Sequence, residues 1–411
     1  MKRMILCLLA SGIVQGGDLF APQSIEQVPL NVEIVSTVRT NGVILQELYF
    51  AAGEMNGGPG RIFALYARPD GDGPFPGVVA LHGSQLRVLV PKESIQYAKE
   101  GFACLSIDWW GPGQVMTPPR EKPYSEWNET STRTYSVAGS DGKKREVART
   151  PEQAGVRLGV LAVRRSVMLM KSFKEVDPQN LFLTGISGGG HLTLVTLGVE
   201  HSFKAAAMRY GCGFVRDFGA DYYAKAAYFK CLKGVEGEDA WFGAFDPKHL
   251  LKNYTTPVLV MSGTDDIFFP MPMVLETWRR IPCEKRLMMA SNDNHKEVAG
   301  EKLPIRYFKS FIGKAPAYPK DAPVTVKETA GQLTFSCDSP CKKTLWVKRM
   351  PVDQFVWGKS DRVKWEKVEG PIAKPASGEQ LMAYFILEDE TGARCATDTV
   401  EIPELANWRL K

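Results

Sequence analysis

Leu181-Phe-Leu-Thr-Gly185-Ile-Ser187-Gly-Gly-Gly-His191-Leu-Thr-Leu-Val-Thr-Leu197 is the stretch that decides how this 411-residue chain is read. Residues 181–184 form a short apolar strand, and 191–199 have the composition of a helix. Between them, Gly185-Ile-Ser187-Gly-Gly189 matches G-x-S-x-G, in which a serine sits on a sharp turn from strand to helix. Such a motif recurs by chance, so the strand before it and the helix after it supply the specificity. Small residues flank the serine because the two backbones approach closely at the turn.

Outward from this turn, residues 77–81, 102–107, 204–208, 258–261 and 286–290 are further short apolar runs. Amphipathic helical stretches separate them. The longest is 151–173, where Val156, Val160, Val163, Val167 and Met170 recur at spacings of three and four. Apolar strands without polar alternation, interleaved with such helices, predict an α/β fold with a mostly parallel sheet covered on both faces. Upstream, 32–38 and 43–50 flank Asn41-Gly42, a hairpin signal, and 61–67 reads as another strand. Two stretches break the rhythm. Residues 111–150 lack periodicity and read as a long loop after a strand end, functional or disordered. After Lys314-Ala-Pro-Ala-Tyr-Pro319 the helical signals stop, and strand-like runs follow at 324–327, 332–337, 344–348 and 381–387. The predicted organisation is a leader at 1–16, an α/β domain at 22–315 and a small β-sandwich-like module at 323–411.

Composition excludes whole classes of protein. With 44% hydrophobic and 24% charged residues the chain is neither disordered nor fibrous. A net charge of +5 is too small for a nucleic-acid footprint. Met1-Lys-Arg-Met4, the apolar run 5–14 and then Gly16-Gly17 follow the pattern of a secretory signal peptide. The run is too short to span a bilayer. Export is therefore expected, to the periplasm or the medium, with no transmembrane segment. Apart from Cys7, seven cysteines remain. In an exported chain Cys337, Cys341 and Cys395 are candidates for a bridge within the β module, and Cys212 with Cys231 for closing a loop; spacing alone does not fix the pairing.

A serine nucleophile needs a base, and the base an orienting acid, following it in the order Ser, Asp or Glu, His. Of the five histidines, only His295, in the polar loop Ser291-Asn-Asp-Asn-His295, lies beyond a suitable acid. That acid lies in Ser262-Gly-Thr-Asp265-Asp266-Ile-Phe-Phe-Pro270. Two aspartates compete: G-x-x-D followed by apolar residues and Pro points to Asp266, leaving Asp265 to turn outward or cap the next helix. Asp293 is a weaker candidate, only two residues from His295. The amides of Ser84, after Leu81-His82-Gly83, and of Gly188 are the expected oxyanion donors. His82 is expected to support that turn, His191 to be structural or pocket-lining, and Trp109 and Trp110 to line a pocket or pack. No zinc-type spacing, Walker loop or dinucleotide fingerprint is legible, so no metal or cofactor is expected.

Leu81-His82-Gly83, Asp108-Trp-Trp-Gly111, the Ser187 elbow, Gly263-x-x-Asp266 and His295 together resemble the α/β-hydrolase superfamily over roughly residues 60–315. Val176-Asp-Pro-Gln-Asn180 and Tyr210-Gly-Cys-Gly-Phe214 are similar to secreted bacterial acetylxylan-esterase-like and dienelactone-hydrolase-like proteins. Asp266-Ile-Phe-Phe-Pro270, with Trp278, Pro282 and a β-rich C-terminal extension, is similar to PhoPQ-activated pathogenicity-related proteins. Trp110-Gly-Pro-Gly-Gln114 and His295-Lys296 depart from the Arg-Gly-Gln motif and the Glu after the histidine of the better-known acetylxylan and cephalosporin deacetylases. The resemblance implies an exported serine hydrolase of carboxylic esters, acting on acyl (acetyl) groups of a small-molecule or polysaccharide substrate. The same triad also suits a serine peptidase related to prolyl oligopeptidase, and the same scaffold a non-catalytic binding protein. Every candidate catalytic residue precedes residue 296, so the β module is expected to be dispensable for chemistry on small esters.

Overall fold

The computed structural model describes residues 19–20, 24–55, 58–84, 89–111, 123–127, 133–139, 142–296, 298, 302–351, 363–403 and 410. The leader, Gln114 and much of the 111–150 stretch lie outside them. A nine-stranded sheet runs in the order β1-β2-β3-β5-β4-β8-β9-β10-β11. The first three strands, β1 (Glu33–Thr40), β2 (Val43–Glu54) and β3 (Pro59–Pro69), form an antiparallel meander whose first turn is the predicted Asn41-Gly42 hairpin. From β5 (Ala103–Ile107) onward all neighbours are parallel: β4 (Phe75–Leu81), β8 (Val176–Ile186), β9 (Ala205–Arg209), β10 (Val258–Gly263) and β11 (Lys285–Ala290). A two-stranded ribbon of β6 (Thr134–Ala138) and β7 (Lys144–Ala148) falls within the predicted long loop.

Consecutive residues of β5, β9 and β10 are all buried. Neighbours along a strand point to opposite faces, so both faces of the parallel sheet are covered, as the unbroken apolar runs require. The covering helices are α1 (Lys92–Lys99), α2 (Gly155–Ser172), α3 (Gly188–Leu197), α4 (Ala220–Lys225), α5 (Glu238–Phe245), α6 (Met271–Arg280) and α7 (Lys302–Phe311). Among the described residues no helix is long and apolar enough to cross a membrane. Arg165 of α2 is fully buried, and its guanidinium donates to the carbonyls of Ile25, Val28 and Ala51, stapling the segment before β1 to the body.

Among the described residues beyond 323, the regular elements are all β-strands. A three-stranded sheet joins β12 (Val324–Thr329), β13 (Gln332–Cys337) and β16 (Ile372–Ala373). A second sheet is built on β14 (Lys342–Pro351) and β17 (Glu379–Glu388), paired over ten residues. Short strands β15 (Glu366–Val368), β18 (Arg394–Ala396) and β19 (Val400–Ile402) flank them. Burial in β13 alternates strictly, so one face looks inward and the other to solvent. This β region packs against the large sheet, β18 lying on β11. Arg279 of α6 pairs with Asp398 at 2.7 Å, and Arg306 of α7 with Asp389 at 3.3 Å. The cysteines at 104, 212, 231, 283, 337, 341 and 395 are all free thiols; Cys212 is buried and Cys231 exposed, so neither suggested bridge is present.

Candidate active site

Ser187 stands between the last residue of β8 and the first of α3, with φ 58° and ψ −119°. For a residue with a Cβ this is a strained conformation that its surroundings must enforce. They do so through the backbone: Ser187 N–H donates to the Arg209 carbonyl at 2.8 Å, and its own carbonyl accepts from His191 N–H at 2.9 Å. A Cβ on Gly185 would lie 2.2 Å from the Gly189 carbonyl oxygen, so only glycine allows the elbow to close.

The turn after β4 faces this elbow. A Cβ on Gly188 would stand 3.2 Å from the Ser84 amide nitrogen, so the two residues lie side by side. His82 braces the turn. Its Nδ1 lies 2.7 Å from the Gly83 carbonyl and its Nε2 3.2 Å from Asp108 Oδ1, while Trp109 Nε1–H donates to the His82 carbonyl at 2.8 Å. Asp108 also accepts from Ser125 N–H at 2.6 Å, fixing part of the long loop to the sheet edge. Trp109 is thereby core, whereas Trp110 remains partly exposed. Asp108 was legible only within a family-like motif, and its pairing with Ser125 had no local signature, because the two lie 17 residues apart.

His295 and Asp266 arrive from the loops after β11 and β10. His295 Nδ1 lies 2.9 Å from Asp266 Oδ2. The other carboxylate oxygen of Asp266 accepts from Phe268 N–H at 2.7 Å, a local turn that aims the side chain. Asp266 is fully buried, and burial raises its carboxyl above the usual range, against the opposing pull of His295 and of the Phe268 and Phe269 amides. The imidazole is sandwiched by aromatic rings, Tyr210 at 4.1 Å and Phe268 at 4.8 Å between centroids. Ser187 and His295 line one cavity of about 390 Å³, together with His82, Ser84, Leu89 and Val90. A larger hollow of about 590 Å³ beside Gly53 and Arg61 holds none of the candidate catalytic groups.

The rival acids have other partners. Asp293 is buried and accepts from the Tyr210 hydroxyl at 2.6 Å and from Lys296 N–H at 2.7 Å, so it shapes the histidine loop. Asp265 neither turns outward nor caps a helix. It is 8% exposed, and Lys348 Nζ from β14 lies 3.2 Å from its Oδ1. The sequence could not place that lysine, because it lies in a strand of the distant β region. His191 is entombed between Tyr228, Phe229 and Trp241, and burial lowers its pKa to about 3, so it stays neutral and structural. Tyr210, the ring against His295, was legible only as part of a family-like motif.

A parallel core flanked by an antiparallel meander, with a strained serine at the end of a central strand, defines an α/β hydrolase. Within that class the chain belongs to the acetyl xylan esterase (AXE1) family, which matches residues 23–308. It is 22% identical over 242 residues to an acetyl esterase of Xylanibacter ruminicola, covering 57% of this chain and 52% of the relative. The chain thus spans about half the length of the curated relative it matches. Among solved structures, an acetyl xylan esterase of Thermoanaerobacterium sp. superposes with a TM-score of 0.56 at 18% identity. One from Paenibacillus sp. R4 gives 0.55 at 19%, each match covering 72% of this chain and 94% of the neighbour. At these identities the likeness speaks for the fold. The family match ends at residue 308, before β12 begins.

Proposed function

We propose that the chain is an exported serine hydrolase of carboxylic esters that removes acetyl or similar small acyl groups from carbohydrate. The observation that carries this reading is the pairing of a strained Ser187 with His295 in one cavity, the imidazole anchored through Nδ1 to buried Asp266. Ser187 Oγ attacks the acyl carbonyl while His295 Nε2 takes its proton. The tetrahedral oxyanion is held by the amides of Ser84 and Gly188, which act only as charge develops on that oxygen. His295 then returns the proton to the departing sugar alkoxide, and the acyl group stays on Ser187. Water, deprotonated by His295, releases the acid and restores the serine. Asp266 holds the tautomer that presents Nε2 to the serine and stabilises the imidazolium. Acetyl as the acyl group rests on the family relationship. Export rests on the n-, h- and c-region pattern of residues 1–17. The leader, the α/β domain at 22–315 and the β module at 323–411 are the division this reading adopts.

The test is a substrate panel on purified protein: p-nitrophenyl acetate and longer acyl esters, acetylated xylan, methyl glucuronate esters and aminoacyl amides. A fluorophosphonate is used to titrate the nucleophile. Stoichiometric labelling that vanishes in Ser187→Ala, with acetyl esters turned over fastest, is expected. Preference for an amide over its matched ester would move the reading to a peptidase, and absence of labelling to a binding protein.

A further inference from the structure

We propose that the C-terminal β module is part of the positioning apparatus of the active site, holding the acid and histidine loops in register through Lys348, Trp365 and Tyr384. This rests on the reading of Asp266 and His295 as acid and base.

The contacts form a closed ring. Lys348 of β14, 3% exposed, pairs with Asp265 in the acid loop at 3.2 Å. The other oxygen of Asp265 accepts from Thr264 Oγ1 at 3.1 Å, and Thr264 Oγ1 accepts from Asn292 N–H in the histidine loop at 2.8 Å. The Asn292 side chain then bonds the module twice: Nδ2 donates to the Trp365 carbonyl at 2.9 Å, and Oδ1 accepts from Trp365 N–H at 2.8 Å. Trp365 immediately precedes β15, which pairs with β14 beside Lys348, so the ring returns to its start. A further tie joins Ser291 Oγ to the hydroxyl of fully buried Tyr384 at 2.6 Å, and the Trp365 and Tyr384 rings meet edge to face at 4.9 Å.

Every one of these links ends within four residues of Asp266 or His295. The two loops also touch directly, since Asp265 N–H donates to the Asp293 carbonyl at 3.0 Å and a Cβ on Gly263 would lie 2.2 Å from that same oxygen. Asn292 sits at φ 62°, a conformation asparagine tolerates better than most residues, and its doubly bonded amide holds the turn there. A module that merely covered apolar surface would have no need to seat a buried cation and a bidentate backbone contact on these two loops. Buried, satisfied polar networks of this kind rigidify and specify one geometry. Hydrogen-bond distance between acid and base is what such a brace protects, because a shift of about 1 Å costs on the order of 100-fold in rate.

The test uses the full chain. Asn292→Gly removes both side-chain hydrogen bonds to Trp365 without straining the backbone, Asn292→Asp keeps the acceptor for Trp365 N–H, Lys348→Met breaks the ion pair, and Tyr384→Phe deletes one hydroxyl. Hydrolysis of p-nitrophenyl acetate is measured and kcat is expressed per fluorophosphonate-labelled site, so unfolded molecules do not count. Asn292→Gly and Lys348→Met are expected to lose about 10- to 100-fold in kcat per labelled site with KM within about threefold. Tyr384→Phe should lose less, and Asn292→Asp should recover part of the Asn292→Gly loss. Unchanged kcat per labelled site in folded Asn292→Gly and Tyr384→Phe would overturn the proposal even if Lys348→Met fails to fold. So would a loss confined to the number of labelled sites. Ser187→Ala is measured alongside: if it retains turnover, the triad reading itself fails, a result separable from any of these.

Discussion

The two halves of the candidate site are held in place by opposite means. Ser187 is fixed from inside the sheet by bonds to Arg209 and His191 and by glycines that let strand and helix close on each other. Asp266 and His295 sit on loops whose neighbours are tied to a second body of the protein, through Lys348, Trp365 and Tyr384. The elbow's serine and glycines lie within a few residues of one another, and its bond to Arg209 reaches only the adjacent strand β9. The loops that carry Asp266 and His295 make contacts that span 73 to 93 residues. The first support lies within the matched family region; the second, on the proposal above, ties the acid and histidine loops to a region outside it.

The strongest challenge to this comparison is to delete each half chemically. Ser187→Ala and His295→Ala should each lower kcat on p-nitrophenyl acetate by about 10⁶-fold, because nucleophile and base act as one unit whatever supports them. Clearly unequal losses in two folded variants would mean that the two sides do not work together.

The adjacent aspartates sharpen it. Asp266→Asn should cut kcat by about 10⁴-fold by stabilising the wrong imidazole tautomer, with the fold intact. Asp265→Asn should behave in the opposite way. It strips the buried Lys348 of its carboxylate, costing roughly 3 kcal/mol of stability, while kcat falls by no more than about 100-fold. Denaturant midpoints and kcat for both variants decide the matter, and a larger kcat loss in Asp265→Asn would exchange the two roles.

The smallest effect concerns pH. Burial raises the Asp266 carboxyl above its unfolded value, so in the window between the two the native state holds more protons than the unfolded state. Stability contributed by this group is therefore full below the ordinary carboxylate range and is lost as pH rises through the raised value. Asp246, buried beneath the Phe214 and Val215 amides, has the same sign. Asp266→Asn should accordingly melt above the parent at pH 7, with the gap closing as pH falls toward the ordinary carboxylate range. A gap that widens on acidification would reverse the assignment of burial as the dominant cause.

Much of this was present in the sequence. The apolar strands, the long helix of α2 and the Asn41-Gly42 turn follow from periodicity and turn chemistry, and the glycines around Ser187 announce an elbow. His295 followed from chain order among only five histidines. Other features were ambiguous for a physical reason. Asp265 and Asp266 are chemically identical neighbours, and only the local turn that gives Asp266 the Phe268 amide separates them. Lys348 and Trp365 read as ordinary residues of a turn-rich β region, since nothing near them in sequence hints at their partners.

The sequence by itself pointed to the apolar strands, the candidate nucleophile and its turn, because these show in side chains and glycines that lie within a few residues of one another. Only the tertiary structure decided which aspartate meets the imidazole, that Asp293 belongs to Tyr210, that His191 is sealed in an aromatic core, and that the β region grips the acid and histidine loops. Those outcomes depend on where distant strands dock. Docking is set by the summed packing of two sheets, and no spacing along the chain encodes it.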